Sequence, residues 1–95
     1  MKVLPGEFAY SAAGRDKDNL FIIHCVKDGY AYLADGKVRK VGTPKKKKLK
    51  HLKLTGTNDR FISEKLSLSE GLTNKEIKYS ISNYKASRGE DKIKL

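Results

Sequence analysis

Apolar residues in the first half of the chain recur at a spacing of two, in short runs broken by glycine-bearing turns. "GEFAYSAA" sets Phe8 and Tyr10 on one side of a short strand that follows Pro5-Gly6. In "LFIIHCVK", Phe21, Ile23 and Cys25 alternate with Ile22, His24 and Val26, so both faces are apolar and the strand is covered twice or strongly curled. Cys25 reads here as a small core hydrophobe. Tyr30 and Tyr32 alternate with Ala31 and Leu33, and "KHLKLT" turns Leu52 and Leu54 inward against His51 and Lys53. Two Asp-Gly pairs, Asp28-Gly29 and Asp35-Gly36, separate β-prone runs. Both residue types tolerate the positive φ of a type I′ turn, so each pair predicts a tight hairpin. Strands near 20–27, 30–34 and 37–41 then form an antiparallel meander. Five short strands leave bare edges unless the sheet closes on itself.

After Gly56 the spacing becomes helical. Phe61, Ile62 and Leu66 follow Thr57 and Asn58 as candidate caps, which predicts a short helix near 58–68. "TNKE" is a capping box with Thr73 as N-cap and Glu76 three residues on. Ile77, Ile81 and Tyr84 then share one face of a helix near 73–86, with Tyr79 beside them. The polar ending "SRGEDKIKL" is expected to fray. The predicted architecture is mainly β: a small SH3-like barrel over residues 1–56, followed by a helical extension over 57–95 that packs on it.

Charge changes this picture most. The net charge of the 95-residue chain is +10, and residues 37–53 hold nine Lys or Arg and no acidic residue, while the remaining 78 residues are nearly balanced. A local block of this kind asks for an anionic partner. The lysines 45–48 are expected in a loop behind Thr43-Pro44, held at both ends by sheet, with their ammonium groups facing backbone phosphate. Arg39 adds a guanidinium able to bind phosphate in two places or to stack on a base.

Other chemistries find little support. Cys25 is the single cysteine, so no internal disulfide forms, and a cytoplasmic location is the default. No apolar run approaches the ~20 residues that span a bilayer. His24, Cys25 and His51 lack any metal-ligand spacing. No nucleophile elbow or phosphate-binding glycine loop occurs, and Asp16, Asp18 and Asp28 fall in turns, so an enzyme is not expected and no cofactor is implied. Tyr30, Tyr32 and Tyr79 are assigned to packing, with at most one of them on a ligand.

"PGEFAYSAAGRDKDNLFIIHCV" resembles the KOW motif of ribosomal proteins and NusG-type transcription factors. Ser11 to Lys17, "SAAGRDK", is similar to the start of the KOW domain in the large-subunit ribosomal protein fourteen-e family. "DGKVRKVGTPKKKKLKHL" resembles the matching segment of small bacterial KOW-containing proteins. The resemblance spans residues 5 to about 54. Where the pattern has a second glycine, this chain has Asp18, which tolerates left-handed backbone angles but adds a negative charge to the loop.

The resemblance implies a ribosome-associated protein, monomeric when free, that contacts ribosomal RNA of the large subunit, with ribosomal proteins as further neighbours. Its site residues would be Arg15 and Lys17 beside the turn at Gly14, with Arg39, Lys40, Lys45, Lys46, Lys47, Lys48, Lys50, His51 and Lys53. A protein-binding adaptor of the translation or transcription machinery, using the barrel and the C-terminal helices, is the alternative. Duplex DNA fits less well, because Glu64, Glu70 and Glu76 interrupt the lysines of both predicted helices.

Overall fold

A computed structural model describes residues 3–88. It contains five antiparallel strands, β1 (Glu7–Ser11), β2 (Leu20–Lys27), β3 (Tyr30–Ala34), β4 (Lys45–Lys48) and β5 (Leu52–Asn58), then helices α1 (Arg60–Ser67) and α2 (Asn74–Ser87). The sheet order is β4-β3-β2-β1-β5. Of the polar ending where fraying was expected, Ser87 is the last residue of α2 and Arg88 its C-cap; residues from 89 onward lie outside the described residues.

The Asp28-Gly29 turn forms as its residues require, with φ of 53° and 81°, and joins β2 to β3. Asp35-Gly36 does not make a second tight hairpin, and residues 37–41 are not a strand. The Asp35 carboxylate instead accepts hydrogen bonds from the N–H groups of Lys37 and Arg39, both at 2.9 Å, and curls the chain into a loop. The next strand is therefore the lysine run itself, with Leu33 opposite Lys45 and Tyr30 opposite Lys48. "KHLKLT" also starts later than expected, because Leu49–His51 form one 3₁₀ turn and Lys50 sits in it.

That turn carries the chain from one end strand of the ladder to the other. Four strand-to-strand steps of about 4.8 Å would separate the ends of a flat sheet far beyond the reach of three residues. The sheet must curl, and its end strands β4 and β5 come together at this turn, while the Ala12 N–H donates to the His51 carbonyl at 2.8 Å and extends the β1–β5 pairing. The ladder nevertheless stays open: β4 pairs with β3, β5 pairs with β1, and no pairing joins β4 to β5. A fully closed barrel does not form.

Two apolar layers cover the two faces. Phe8, Leu20, Ile22 and Ala34 pack against Ile62, Ile77, Ile81 and Tyr84 of the helices, while Ala9, Phe21, Ile23, Ala31 and Leu33 pack inside the curl with Leu52 and Leu54. Tyr84 stacks on Phe8 with ring centroids 4.3 Å apart, an arrangement that adds about 0.5–1.5 kcal/mol to the burial of the two rings.

Alternation along β2 breaks at an irregularity between Ile23 and Cys25. Val26 thereby joins the inner layer, and Cys25 is exposed rather than in the core. Tyr79 likewise is not a packing residue; it is 70% exposed.

The helices are tied by polar contacts. Asp59, rather than Thr57 or Asn58, caps α1 by accepting from the Ile62 N–H, and it also accepts from Ser80 of α2. Both halves of the Thr73–Glu76 capping box form. Hydrogen bonds from Lys65 and from the Thr73 N–H hold the Glu76 carboxyl below its usual range. Among the described residues no helix is long and apolar enough to cross a membrane.

The N-terminal end of α2 fixes the loop between β3 and β4. The Val41 N–H donates to Asn74 Oδ1 at 2.7 Å. Gly36, with φ of 78°, lies so close that an added Cβ would come within 2.5 Å of the Asn74 carbonyl oxygen. Replacing Gly36 with Ala should therefore cost about 2–4 kcal/mol, combining left-handed strain with overlap. Gly29→Ala, where a Cβ meets nothing within 4 Å, should cost only about 1–2 kcal/mol of backbone strain. Denaturant midpoints of the two variants check this ranking.

Candidate functional site

Lysine has low strand propensity, yet four in succession make β4. An end strand is where they are tolerated, since charged side chains there discourage pairing with another chain. Strand alternation then splits the run. Lys46 and Lys48 are exposed, whereas Lys45 and Lys47 are partly covered and point across the seam.

Lys47 is the more committed of the inward pair, its side chain only 9% exposed. Its Nζ donates to Ser11 Oγ at 2.8 Å, to the Ala13 carbonyl at 2.8 Å and to Asp16 Oδ1 at 2.7 Å. An ammonium group has three protons, and all are used. Ser11 Oγ lies 2.9 Å from both the Ala13 carbonyl and Asp16 Oδ1, and its own proton serves one of them. Lys45 Nζ stands 3.1 Å from Asp16 Oδ2. Burial by itself would raise the Asp16 carboxyl, but the contacts from Lys47, Ser11 and Lys45 and the Lys47 charge outweigh it and hold the group well below the usual carboxylate range.

The loop between β1 and β2 delivers these partners. Gly14 has φ of 85° and Asp18, in the place of a second glycine, has φ of 71°. The expected tolerance of Asp for this backbone is what the loop uses. The Asp18 N–H then donates to the Ser11 carbonyl at 2.7 Å and closes the turn.

Three cations from distant segments converge beside this cluster. Arg15 of the β1–β2 loop, Arg39 of the β3–β4 loop and Lys45 of β4 line a depression of about 250 Å³, with Asp16 and Asp35 in its wall and Val38 on it. Asp16 is paired with Lys47 and Lys45, while the Asp35 carboxylate accepts from backbone N–H groups through Oδ1 and keeps its charge in the wall. Lys40 is exposed in the β3–β4 loop and Lys17 in the β1–β2 loop. Lys50 and His51 occupy the 3₁₀ turn, and Lys53 is exposed on β5, opposite Tyr10.

The anticipated residues therefore do not form one set. Arg15, Arg39 and Lys45 gather at the depression, and Lys46 and Lys48 line the outer side of β4. Lys47 is consumed internally, and Lys53 lies on the other end strand. Three further residues belong beside Lys46 and Lys48: Lys27, Tyr30 and Tyr32. The register puts Tyr30 opposite Lys27 and Lys48, and Tyr32 opposite Cys25 and Lys46. Lys46 Nζ lies 4.4 Å from the Tyr30 ring centroid. The alternation of Tyr30 and Tyr32 was visible in the sequence, but with residues 37–41 taken as the neighbouring strand the flanking lysines were not.

A second, more apolar groove of about 500 Å³ runs between β2 and α1, lined by Leu4, Pro5, His24, Cys25 and Leu66 among others. His24 Nδ1 has no hydrogen-bond partner there. Among the described residues no group of three or more His, Cys, Asp or Glu is placed to hold a metal ion. No protein-family model matches the chain, and no curated protein matches it in sequence.

Asp16→Asn leaves Lys45 and Lys47 facing a neutral group. Breaking a mostly buried ion pair from one side should cost about 3 kcal/mol, read from denaturant midpoints at neutral pH. An unfolded Asp titrates near 3.9, and the folded value lies below it. The stabilisation is therefore complete above about pH 5 and lost as pH falls through the folded value. The stability gap between wild type and Asp16→Asn should accordingly narrow below about pH 4.

Proposed function

We propose that the protein binds RNA by neutralising backbone phosphates, and that it acts as a ribosome-associated factor built on an SH3-like, KOW-type domain. The single observation that carries this reading is the acid-free block of residues 37–53, nine Lys or Arg, borne on a sheet edge and the loops beside it. Five antiparallel strands, curled until the end strands meet at one short turn, support the SH3-like assignment. The "SAAGRDK" resemblance supports KOW and points to ribosomal RNA of the large subunit.

In this mechanism the inward lysines are structural and the outward ones bind. Lys45 and Lys47 lock β4 to the β1–β2 loop, so that Lys46, Lys48 and the Arg15–Arg39 pair keep fixed positions. Fixed positions matter because side chains ordered before binding need not lose that freedom on contact. Lys37, Lys40 and Lys50 extend the positive surface. Arginine suits the depression, where a planar guanidinium matches two phosphate oxygens.

A protein-docking reading has one observation in its favour, the apolar groove beside His24 and Leu66. Co-sedimentation with ribosomes after Lys46 and Lys48 are both changed to Glu separates the two. The RNA reading expects the association to be lost, and the docking reading expects it to persist.

Filter binding to large-subunit ribosomal RNA across a salt series tests the mechanism directly. If about six phosphates are engaged on single-stranded segments, log affinity should fall with log salt at a slope near −4. Lys46→Ala and Lys48→Ala together should reduce the slope by about 1.4. A slope near zero in the wild type overturns the proposal.

A further inference from the structure

We propose that the outer face of β2, β3 and β4 is a stacking platform for unpaired RNA bases, with Tyr30 and Tyr32 as the rings. This rests on the RNA-binding reading and deepens it, because it specifies single-stranded rather than duplex RNA. Phosphate neutralisation alone carries no such preference.

The argument begins with the register. Tyr30 and Tyr32 project from the same side of β3, about 6.8 Å apart along the strand. Their inward neighbours Ala31 and Leu33 are fully buried, so the two tyrosines face away from the core. Lys27 and Cys25 flank them on β2, and Lys48 and Lys46 on β4. Tyr30 therefore lies between Lys27 and Lys48, and Tyr32 between Cys25 and Lys46, and none of the three strands contains an acidic residue.

The Lys46 ammonium lies over the face of Tyr30, 4.4 Å from the ring centroid. Lys46 is exposed and makes a cation–π contact that water competes with. A base arriving over the ring displaces that ammonium, which then has the phosphate of the same nucleotide within reach. The exchange keeps the lysine charge paired and replaces a solvated contact by a flat, desolvated one. Cys25, small and uncharged beside Tyr32, leaves room along that ring. Rings that stack on a base's π-face discriminate little between bases, so the platform prefers unpaired RNA without choosing a sequence. Duplex RNA offers no free base faces and is excluded.

Fluorescence anisotropy on the full chain decides the matter with three labelled probes of about 12 nucleotides, within the range such sheets cover. They are oligouridylate, an abasic ribose-phosphate strand of equal length, and an RNA duplex. The platform predicts that oligouridylate binds about 10- to 100-fold tighter than the abasic strand. Changing Tyr30 and Tyr32 together to Leu should bring that ratio close to one while leaving abasic-strand affinity and its salt slope unchanged. The double change to Phe should retain the ratio. Equal wild-type affinity for oligouridylate and abasic strands overturns the platform and leaves phosphate binding standing, as does a preference for duplex. Failure to bind any of the three overturns both readings. The wild-type comparison suffices if the Leu variant does not fold.

Discussion

The Lys47 ammonium, held by Ser11, Ala13 and Asp16, is the contact on which the arrangement of this protein depends. It spans a seam that the backbone ladder leaves open. Placing a carboxylate and an ammonium out of water is expensive, and their attraction offsets the cost only when the remaining hydrogen-bonding capacity is also met. Here it is met at the lysine, whose three donors each have an acceptor. The last residue of β1 and the β1–β2 loop, which together supply all three, are thereby fastened to β4. Because β4 continues through one 3₁₀ turn into β5, the same contact keeps the two end strands together.

That seam also sorts the charge. A strand points alternate side chains to opposite sides, so four lysines in β4 cannot all serve one role. Two are drawn inward by one carboxylate, and two remain outward with the tyrosines of β3. Asp16 is thus less a competitor for the proposed phosphate ligands than the group that orders the strand bearing Lys46 and Lys48. Asp35 does comparable work in the next loop, where it accepts from the Arg39 N–H and curls the segment whose Arg39 lines the same depression as Arg15. Lysines on an end strand also guard against pairing with a second chain, and this protection is compatible with binding, since both require the ammonium groups to stay exposed.

Local chemistry was legible wherever a residue answers to its immediate neighbours. Asp28-Gly29 forms the anticipated turn because its backbone angles are satisfied within the turn. Thr73 and Glu76 cap α2 because their partners lie three residues away. Ile77, Ile81 and Tyr84 share a face because a helix places them there. The errors fall where a partner is distant. Asp35-Gly36 has the same two residue types as the first turn, but its loop is held by Asn74 and pressed on the backbone of α2. Cys25 leaves the core because β2 changes its pairing with β3 at His24, and nothing in the alternating pattern marks that point.

From the sequence alone came the mainly β character, the two helices with the capping box of the second, the double apolar cover of β2 and the single concentrated block of positive charge. These follow from periodicity, turn chemistry and composition, which act over a few residues and are written in order along the chain. Only the tertiary structure decided that the lysine run is a strand, that Lys47 is spent internally, that Arg15 and Arg39 line one depression, and that Tyr30 and Tyr32 stand beside the lysines of β2 and β4. Lysine has little intrinsic reason to be extended. It becomes so because a neighbouring strand offers its backbone hydrogen bonds and a carboxylate 31 residues away in sequence accepts its charge.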